Sequence, residues 1–278
     1  MNTVQRRDDG PPRNLSPTRT GPGSERSSVA DLLQLIDRHA PDANPVGIDL
    51  PVFTRRLRAG ENLFDEGGSV ETVYFVRSGS FKTFHTVPGG YEQLLGFVGR
   101  SEMLGFDGMC MNQRPSGAVA LEDSTVYVLP LRDLVAYMSG IPSFANALYR
   151  SISLTLTRQV EIADVTAAVA SEVRLARFLM HLSRRHEAGG QSPRRLLLRM
   201  SRRDIASYLG VAHETVSRSF GALADRGLIR VRHREIEIID LGALRELSHD
   251  TRRQGWSGGS RAAAPESAAI ETAGVGAD

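Results

Sequence analysis

The spacing of apolar residues changes three times along the chain. In VADLLQLIDRHAP, Val29, Leu32, Leu33 and Ile36 recur at helical intervals and predict a short amphipathic helix. From Phe53 to Met138 the spacing falls to short alternating runs, ENLF, TVYFVRSG, SFKTFHTV, YEQLLGFV, GAVALE and STVYVLPL. Turn signals separate them at Gly60, Gly67-Gly68, Gly79, Pro88-Gly89-Gly90 and Gly105. These runs predict an antiparallel β-roll over 29–139, with the short helix leading it. Helical spacing returns at Pro142 and meets no Gly or Pro until Gly189. A segment of that length exceeds one compact helix, so a break is expected near Ala167 to Ser171. It divides the segment into a long connecting helix within 140–171 and VRLARFLMHLSRR, the first helix of a C-terminal domain over 172–248.

The run SRRDIASYLGVAHETVSRSFGALADRGLI has the pattern of a helix-turn-helix. Ser201 caps the first helix with Asp204 three residues on, Ala206 permits close approach, and Gly210 permits the turn. Ile205, Leu209, Val211 and Val216 supply a shared core, while Ser219 departs from the larger apolar residue usual at its place. The following GLIRVRHREIEIIDL reads as two strands around a turn at His233 to Glu235, the wing of a winged helix. The fold class is therefore α+β.

Residues 1–28 and 249–278 are low in apolar residues and rich in Pro, Gly, Ser and charged residues, which predicts disordered tails. No apolar run is long enough to predict a membrane span or a secretory signal, so a cytoplasmic protein without a membrane partner is expected.

The net charge of +2 conceals an asymmetry: residues 173–247 carry 15 Arg against 8 acidic residues, and the remainder is net acidic. A polyanion is the expected partner of that basic segment. Among 34 basic residues Lys82 is the single lysine. Cys110 is the single cysteine, which excludes an intrachain disulfide and an all-cysteine metal site, and it is a candidate redox switch. Of the histidines His39, His85, His181, His186, His213, His233 and His249, only His85 falls in the β-roll. His181 and His186 lie five apart and share no helix face. No cofactor, metal set or catalytic constellation is predicted. A cupin-like enzyme with an accessory DNA-binding domain is the remote alternative.

RAGENLFDEGG, VYFVRSGSFKTF, GGYEQLLGFVGRSEMLGFDGM and ALEDSTVYVLP, with the helix-turn-helix run, resemble the Crp/Fnr regulators over roughly residues 50–248. The motifs GFD at Gly105 to Asp107 and ETVSR at Glu214 to Arg218 are most similar to the Fnr and FixK branch. The resemblance implies a cyclic-nucleotide-binding-like β-roll, a dimerisation helix and a DNA-reading domain, with double-stranded DNA, a second copy of the chain and RNA polymerase as partners. Relatives that bind cyclic nucleotides hold the phosphate with Gly-Glu and Arg-Ser pairs. Here the Glu position falls on Phe106 and the Arg-Ser positions on Ser116 and Gly117, with Arg114 two residues away in a different register. Oxygen-sensing relatives carry an N-terminal cysteine cluster and one β-roll cysteine. This N-terminus has no cysteine, and Tyr127 stands at the β-roll position. The expected regulator therefore lacks cyclic nucleotide and iron-sulfur cluster. A haem or small-molecule sensor, with its pocket between the β-roll and the long helix, is the alternative.

Within that frame, His213, Glu214, Ser217 and Arg218 are expected to read base edges, Glu214 also steadying Arg218 as an i, i+4 partner. Arg202 and Arg203 are expected to contact phosphates. Resemblance implies TTGA-type half-sites in an inverted repeat. The dimer seam is expected at Leu148, Ile152, Leu156, Gln159 and Ala163, pairing as a short coiled coil that Ile152→Glu should weaken.

Overall fold

A computed structural model describes residues 26–36 and 50–250. Of the expected tails over 1–28 and 249–278, residues 1–25 and 251–278 lie outside the described residues, as does His39. The first described segment is a strand, β1 (Arg26–Ser28), followed by helix α1 (Val29–Ile36). Residues 26–28, expected to belong to the tail, instead pair antiparallel with Pro51 to Phe53. An Arg-Ser-Ser strand has no apolar alternation to betray it, because backbone hydrogen bonds alone place it on a sheet edge.

The β-roll follows: β2 (Pro51–Leu57), β3 (Asn62–Phe64), β4 (Thr72–Ser78), β5 (Phe81–Thr86), β6 (Glu92–Val98), β7 (Met103–Leu104), β8 (Gly117–Ala120) and β9 (Ser124–Pro130). Among the described residues they form two sheets, ordered β1-β2-β9-β4-β7 and β3-β8-β5-β6, with every pairing antiparallel. Phe81, Val76, Leu104 and Val126 pack between the sheets. Strand β6 lies at an edge, and its pairing with β5 slips between Thr83/Gly96 and Phe84/Leu94, leaving Leu95 as a bulge.

The segment Leu131–Gly140, expected to continue the β-roll, is helix α2. Its buried Leu134 and Tyr137 are spaced three apart, a helical rather than an alternating period. Helix α3 (Pro142–Ala167) begins with Pro at its first turn, where a missing N–H costs nothing, and α4 (Ser171–Ala188) follows after three residues.

The face that α3 turns inward corrects the expected seam. Leu148 is 3% exposed, and Ile152 is partly buried. Both pack with Val29, Leu32, Phe75 and Phe144 in the core of their own chain. Gln159 is exposed at the rim of a cavity facing the β-roll. Leu156 and Ala163 do point outward, within a row formed by Tyr149, Ser153, Leu156, Val160, Ala163 and Ala167. That row alternates steps of four and three, the a/d spacing of a coiled coil. Tyr149 is 60%, Leu156 62% and Val160 68% exposed in the single chain.

The C-terminal part comprises β10 (Arg195–Leu197), α5 (Arg202–Leu209), α6 (His213–Asp225), β11 (Ile229–Arg232), β12 (Glu235–Ile238) and α7 (Leu241–Ser248). The wing hairpin gains β10 as a third strand, in the order β10-β12-β11. One apolar cluster joins Leu175, Leu179, Ile205, Leu209, Val216, Phe220 and Ile236, so helices and wing are a single packed unit. Among the described residues no helix is long and apolar enough to cross a membrane.

Candidate nucleic-acid interface

Helix α5 starts on a complete capping box. Ser201 Oγ accepts from the Asp204 backbone N–H (3.1 Å) and Asp204 Oδ2 accepts from the Ser201 N–H (2.8 Å), satisfying two donors that the helix end leaves free. It stops at Gly210, whose φ of 63° and left-handed backbone let the Val211 N–H reach the Ala206 carbonyl at 3.1 Å. The turn delivers α6 with Val216, Phe220 and Leu223 buried against α4 and α5.

The opposite side of α6 is open. His213, Glu214, Ser217 and Arg218 are all exposed there, their i, i+1, i+4 and i+5 spacing gathering them on one side of the helix. Arg218 Nη2 donates to Thr215 Oγ1 at 3.4 Å. Among the described residues no ion pair joins Arg218 to Glu214, so the expected i, i+4 partnership is not formed. The guanidinium keeps an uncompensated charge at the surface. Ser217 Oγ donates back to the His213 carbonyl at 3.4 Å.

The two arginines of α5 differ from each other. Arg203 is exposed, whereas Arg202 is half-buried with its guanidinium carbon 3.5 Å from the centre of the Phe220 ring. Burial pulls the Arg202 guanidinium below its ordinary value. Its role is first to clamp α5 onto α6. Ser219 is buried, with its hydroxyl donating to Ser171 Oγ at 3.1 Å where α4 begins. That bond explains why a small polar residue replaces a larger apolar one.

The wing adds residues that the sequence reading passed over. His233 takes φ 54° at the tip, and Arg232, His233 and Arg234 are exposed around it, while Arg230 pairs with Glu237 at 2.6 Å. The signal was available, since two arginines flank the turn residue. The Leu198 N–H donates to the Arg234 carbonyl at 2.8 Å, which ties the tip to the segment entering α5.

In the β-roll, Phe106, Asp107 and Ser116 line a cavity of about 140 Å³, closed by Arg158 of α3 and Phe178 of α4. Ser116 Oγ donates to Asp107 Oδ2 at 2.9 Å, so a carboxylate sits in the wall. Arg114 is 5% exposed and turns elsewhere. Its guanidinium donates to the Thr72 carbonyl at 2.9 Å and the Gly105 carbonyl at 3.4 Å, and stacks 4.1 Å from the centre of Phe64. Gly105, at φ 76°, allows this, since a Cβ there would meet Arg114 Nη1 at 2.3 Å. Tyr127 is buried beneath Arg77, and Cys110 is exposed between the exposed Met109 and Met111. Among the described residues no three His, Cys, Asp or Glu side chains are gathered to hold a metal ion.

Several ties connect the two halves of the chain, Arg199 with Glu122 at 3.0 Å among them. Glu102 of the β-roll meets Arg158 Nη1 of α3 at 2.5 Å and also pairs with Arg185 of α4. Phe97 of β6, Phe178 of α4 and Tyr208 of α5 form a triangle of rings with centroids 5.2–6.0 Å apart. Burial pushes the Tyr208 hydroxyl up to about 12. Asp204 then meets Lys82 Nζ of β5 at 2.9 Å. Burial raises the Asp204 carboxyl, but hydrogen bonds from Ser201 and Lys82 outweigh it and leave the group below its usual value.

Comparison with known proteins gives the same two parts. Residues 173–247 match the model of the Crp-like helix-turn-helix domain, and residues 54–140 that of the cyclic nucleotide-binding domain. The transcriptional regulatory protein Btr of Bordetella pertussis is 40% identical over 192 residues, 69% of this chain and 79% of that protein. The fumarate and nitrate reduction regulatory protein of Escherichia coli is 33% identical over 196 residues, 70% and 78% of the two chains. Among solved structures, FixK2 from Bradyrhizobium japonicum superposes with a TM-score of 0.65 at 24% identity, covering 73% of this chain and all of that one, a likeness of fold.

Proposed function

Since the chain belongs to the Crp/Fnr family of transcriptional regulators, we propose that it binds an inverted-repeat operator of TTGA-like half-sites as a homodimer, with neither cyclic nucleotide nor iron-sulfur cluster as cofactor. It acts in the cytoplasm and contacts RNA polymerase from the operator. The observation that carries this reading is the exposed face of α6, where among the described residues His213, Glu214, Ser217 and Arg218 stand clear of every intrachain partner except Thr215 and the helix backbone. Arg218 binds guanine O6 and N7, Glu214 accepts from a cytosine amino group, and Ser217 sits against a thymine methyl. His213 reaches a base edge or its neighbouring phosphate. Arg203 supplies phosphate contacts, joined by Arg202 from its seat on Phe220. The relatives bearing this architecture carry the names of regulators, which supports a regulatory rather than an enzymatic role.

Arg218→Ala is expected to cost about 1–3 kcal/mol of operator binding and to relax preference at the guanine alone. A fluorescence-anisotropy titration against single-base operator variants reads it. An unchanged preference profile would remove Arg218 from the reading face.

The homodimer is supported by the outward a/d row on α3, whose Tyr149, Leu156 and Val160 have nothing to cover them in one chain. Independence from cyclic nucleotide is supported by the Asp107 carboxylate in the cavity wall and by Arg114, committed to two carbonyls and Phe64. An anionic phosphate there would meet a like charge, while the lining Arg158 and Arg185 are already engaged by Glu102. Calorimetry with cyclic AMP or cyclic GMP is expected to give no micromolar binding, and operator affinity is expected to change less than about twofold, under 0.5 kcal/mol. Micromolar binding of either nucleotide overturns this part. The small-molecule alternative rests on the same cavity, and 140 Å³ falls below the roughly 300–1,000 Å³ of ordinary ligand pockets. That volume favours a small effector over haem. Cys110 is retained as a redox candidate on its exposure alone.

A further inference from the structure

Strand β6 ends its sheet, and an edge strand leaves one row of backbone groups without a strand partner. Part of that row is taken by the first helix of the helix-turn-helix. The Leu94 N–H donates to Ser207 Oγ at 2.9 Å, Ser207 Oγ donates to the Glu92 carbonyl at 3.3 Å, and Gln93 Nε2 donates to the Ser207 carbonyl at 3.3 Å. The bulge at Leu95 follows directly on this stretch. One turn away on α5, Asp204 accepts from Lys82 Nζ at 2.9 Å, with Glu92 on the other side of the ammonium at 3.7 Å. The side chains of Lys82 and Asp204 are 20% and 16% exposed, so water screens the pair weakly.

These contacts touch α5 on Asp204, Ser207 and Tyr208 and leave the exposed face of α6 untouched. A dimer reads two half-sites at once, so its affinity depends on the distance and angle between its two α6 helices. Each α6 is fixed to its α5 by a packed core, and each α5 is fixed to its own β-roll by this seam. We propose that Lys82 is a positioning residue for operator binding: by gripping Asp204 it fixes the helix-turn-helix against the edge of the β-roll and sets the half-site spacing that the dimer accepts. The proposal rests on the reading of the chain as a dimeric operator-binding protein. It assigns the docked arrangement to the binding-competent state, because docking leaves His213, Glu214, Ser217 and Arg218 open.

The test has one arm with DNA and one without. Lys82 is the single lysine, so acetylation by an N-hydroxysuccinimide ester, read by mass spectrometry on the Lys82 peptide, reports its cover directly. In full-length protein without DNA, Gln93→Ala with Ser207→Ala is expected to raise the Lys82 acetylation rate several-fold over wild type. Neither substitution touches the capping box. An unchanged rate overturns the docking. In the second arm, wild type, Lys82→Ala and Lys82→Arg are titrated against operators whose half-sites are one base pair closer, native and one base pair farther. Lys82→Ala is expected to bind the native spacing about tenfold more weakly, equivalent to about 1.4 kcal/mol, and to distinguish the three spacings less than wild type does. Lys82→Arg is expected to restore both, since a cation again faces Asp204. Wild-type affinity with wild-type spacing preference in Lys82→Ala overturns the proposal, and so does tighter binding, which would make docking inhibitory. If wild type itself prefers no operator over random DNA, the operator reading falls and the positioning role falls with it, while the acetylation arm still decides whether α5 is docked.

Discussion

Replacing Val160 with glutamate is expected to hold the chain monomeric at micromolar concentration and to weaken binding to a two-half-site operator by roughly a hundredfold or more. Val160 is more exposed than Tyr149 or Leu156 in the outward row on α3 and occupies an a position between Leu156 and Ala163. In a parallel pair an a residue faces its own copy, so the substitution sets two carboxylates against each other and removes two apolar side chains from the contact. Binding loses more than the dimer energy, because a tethered second half-site is reached at a high effective concentration and a free one is not. Sedimentation velocity reads the assembly and anisotropy reads the operator. A Val160→Glu protein that still sediments as a dimer at micromolar concentration would place the interface elsewhere. Ile152→Glu is the less informative variant, since Ile152 packs in the core of its own chain and a carboxylate there damages the β-roll as well as any dimer.

That difference shows what the sequence carries and what it leaves out. The 3.6-residue period of α3 is written in Leu148, Ile152 and Leu156, and it predicts a helix with an apolar stripe. Yet α3 has two apolar stripes, one for the β-roll and one facing outward, and periodicity cannot say which is which. Their assignment depends on where Phe75 and Phe144 sit in the folded chain. The helix-turn-helix was legible for the opposite reason: Ser201, Asp204, Ala206, Gly210 and Val216 interact with near neighbours, so the local run contains the structure. Ser219 was not legible, because its partner Ser171 lies 48 residues away. Lys82 stood out only by its rarity, and its partner Asp204 is 122 residues distant.

Phe178→Ala is expected to cost about 3–5 kcal/mol of folding free energy, the range for removing a buried aromatic side chain. Phe178 is 2% exposed and belongs to the core of the C-terminal unit, but its ring also meets Phe97 of the β-roll and Tyr208 of α5. The loss should fall near the upper part of that range, because the site resists collapse. Helix α4 is pinned on both sides: Arg174 donates to the Leu209 carbonyl at 2.8 Å and Arg177 to the Ser248 carbonyl at 2.7 Å. The vacated space also opens onto the 140 Å³ cavity that Phe178 lines, so truncation enlarges an existing void. Phe178→Leu, which keeps much of the volume, is expected to cost less than about 2 kcal/mol. Urea unfolding followed by Tyr fluorescence and by far-ultraviolet dichroism measures both variants. Because the ring bridges the β-roll and the helix-turn-helix, Phe178→Ala should also split one unfolding transition into two, the C-terminal unit melting first. A cost below about 1 kcal/mol, or a single unchanged transition, would mean that the ring triangle does not couple the two halves and that the polar ties, Glu102 with its arginines and Lys82 with Asp204, carry the connection.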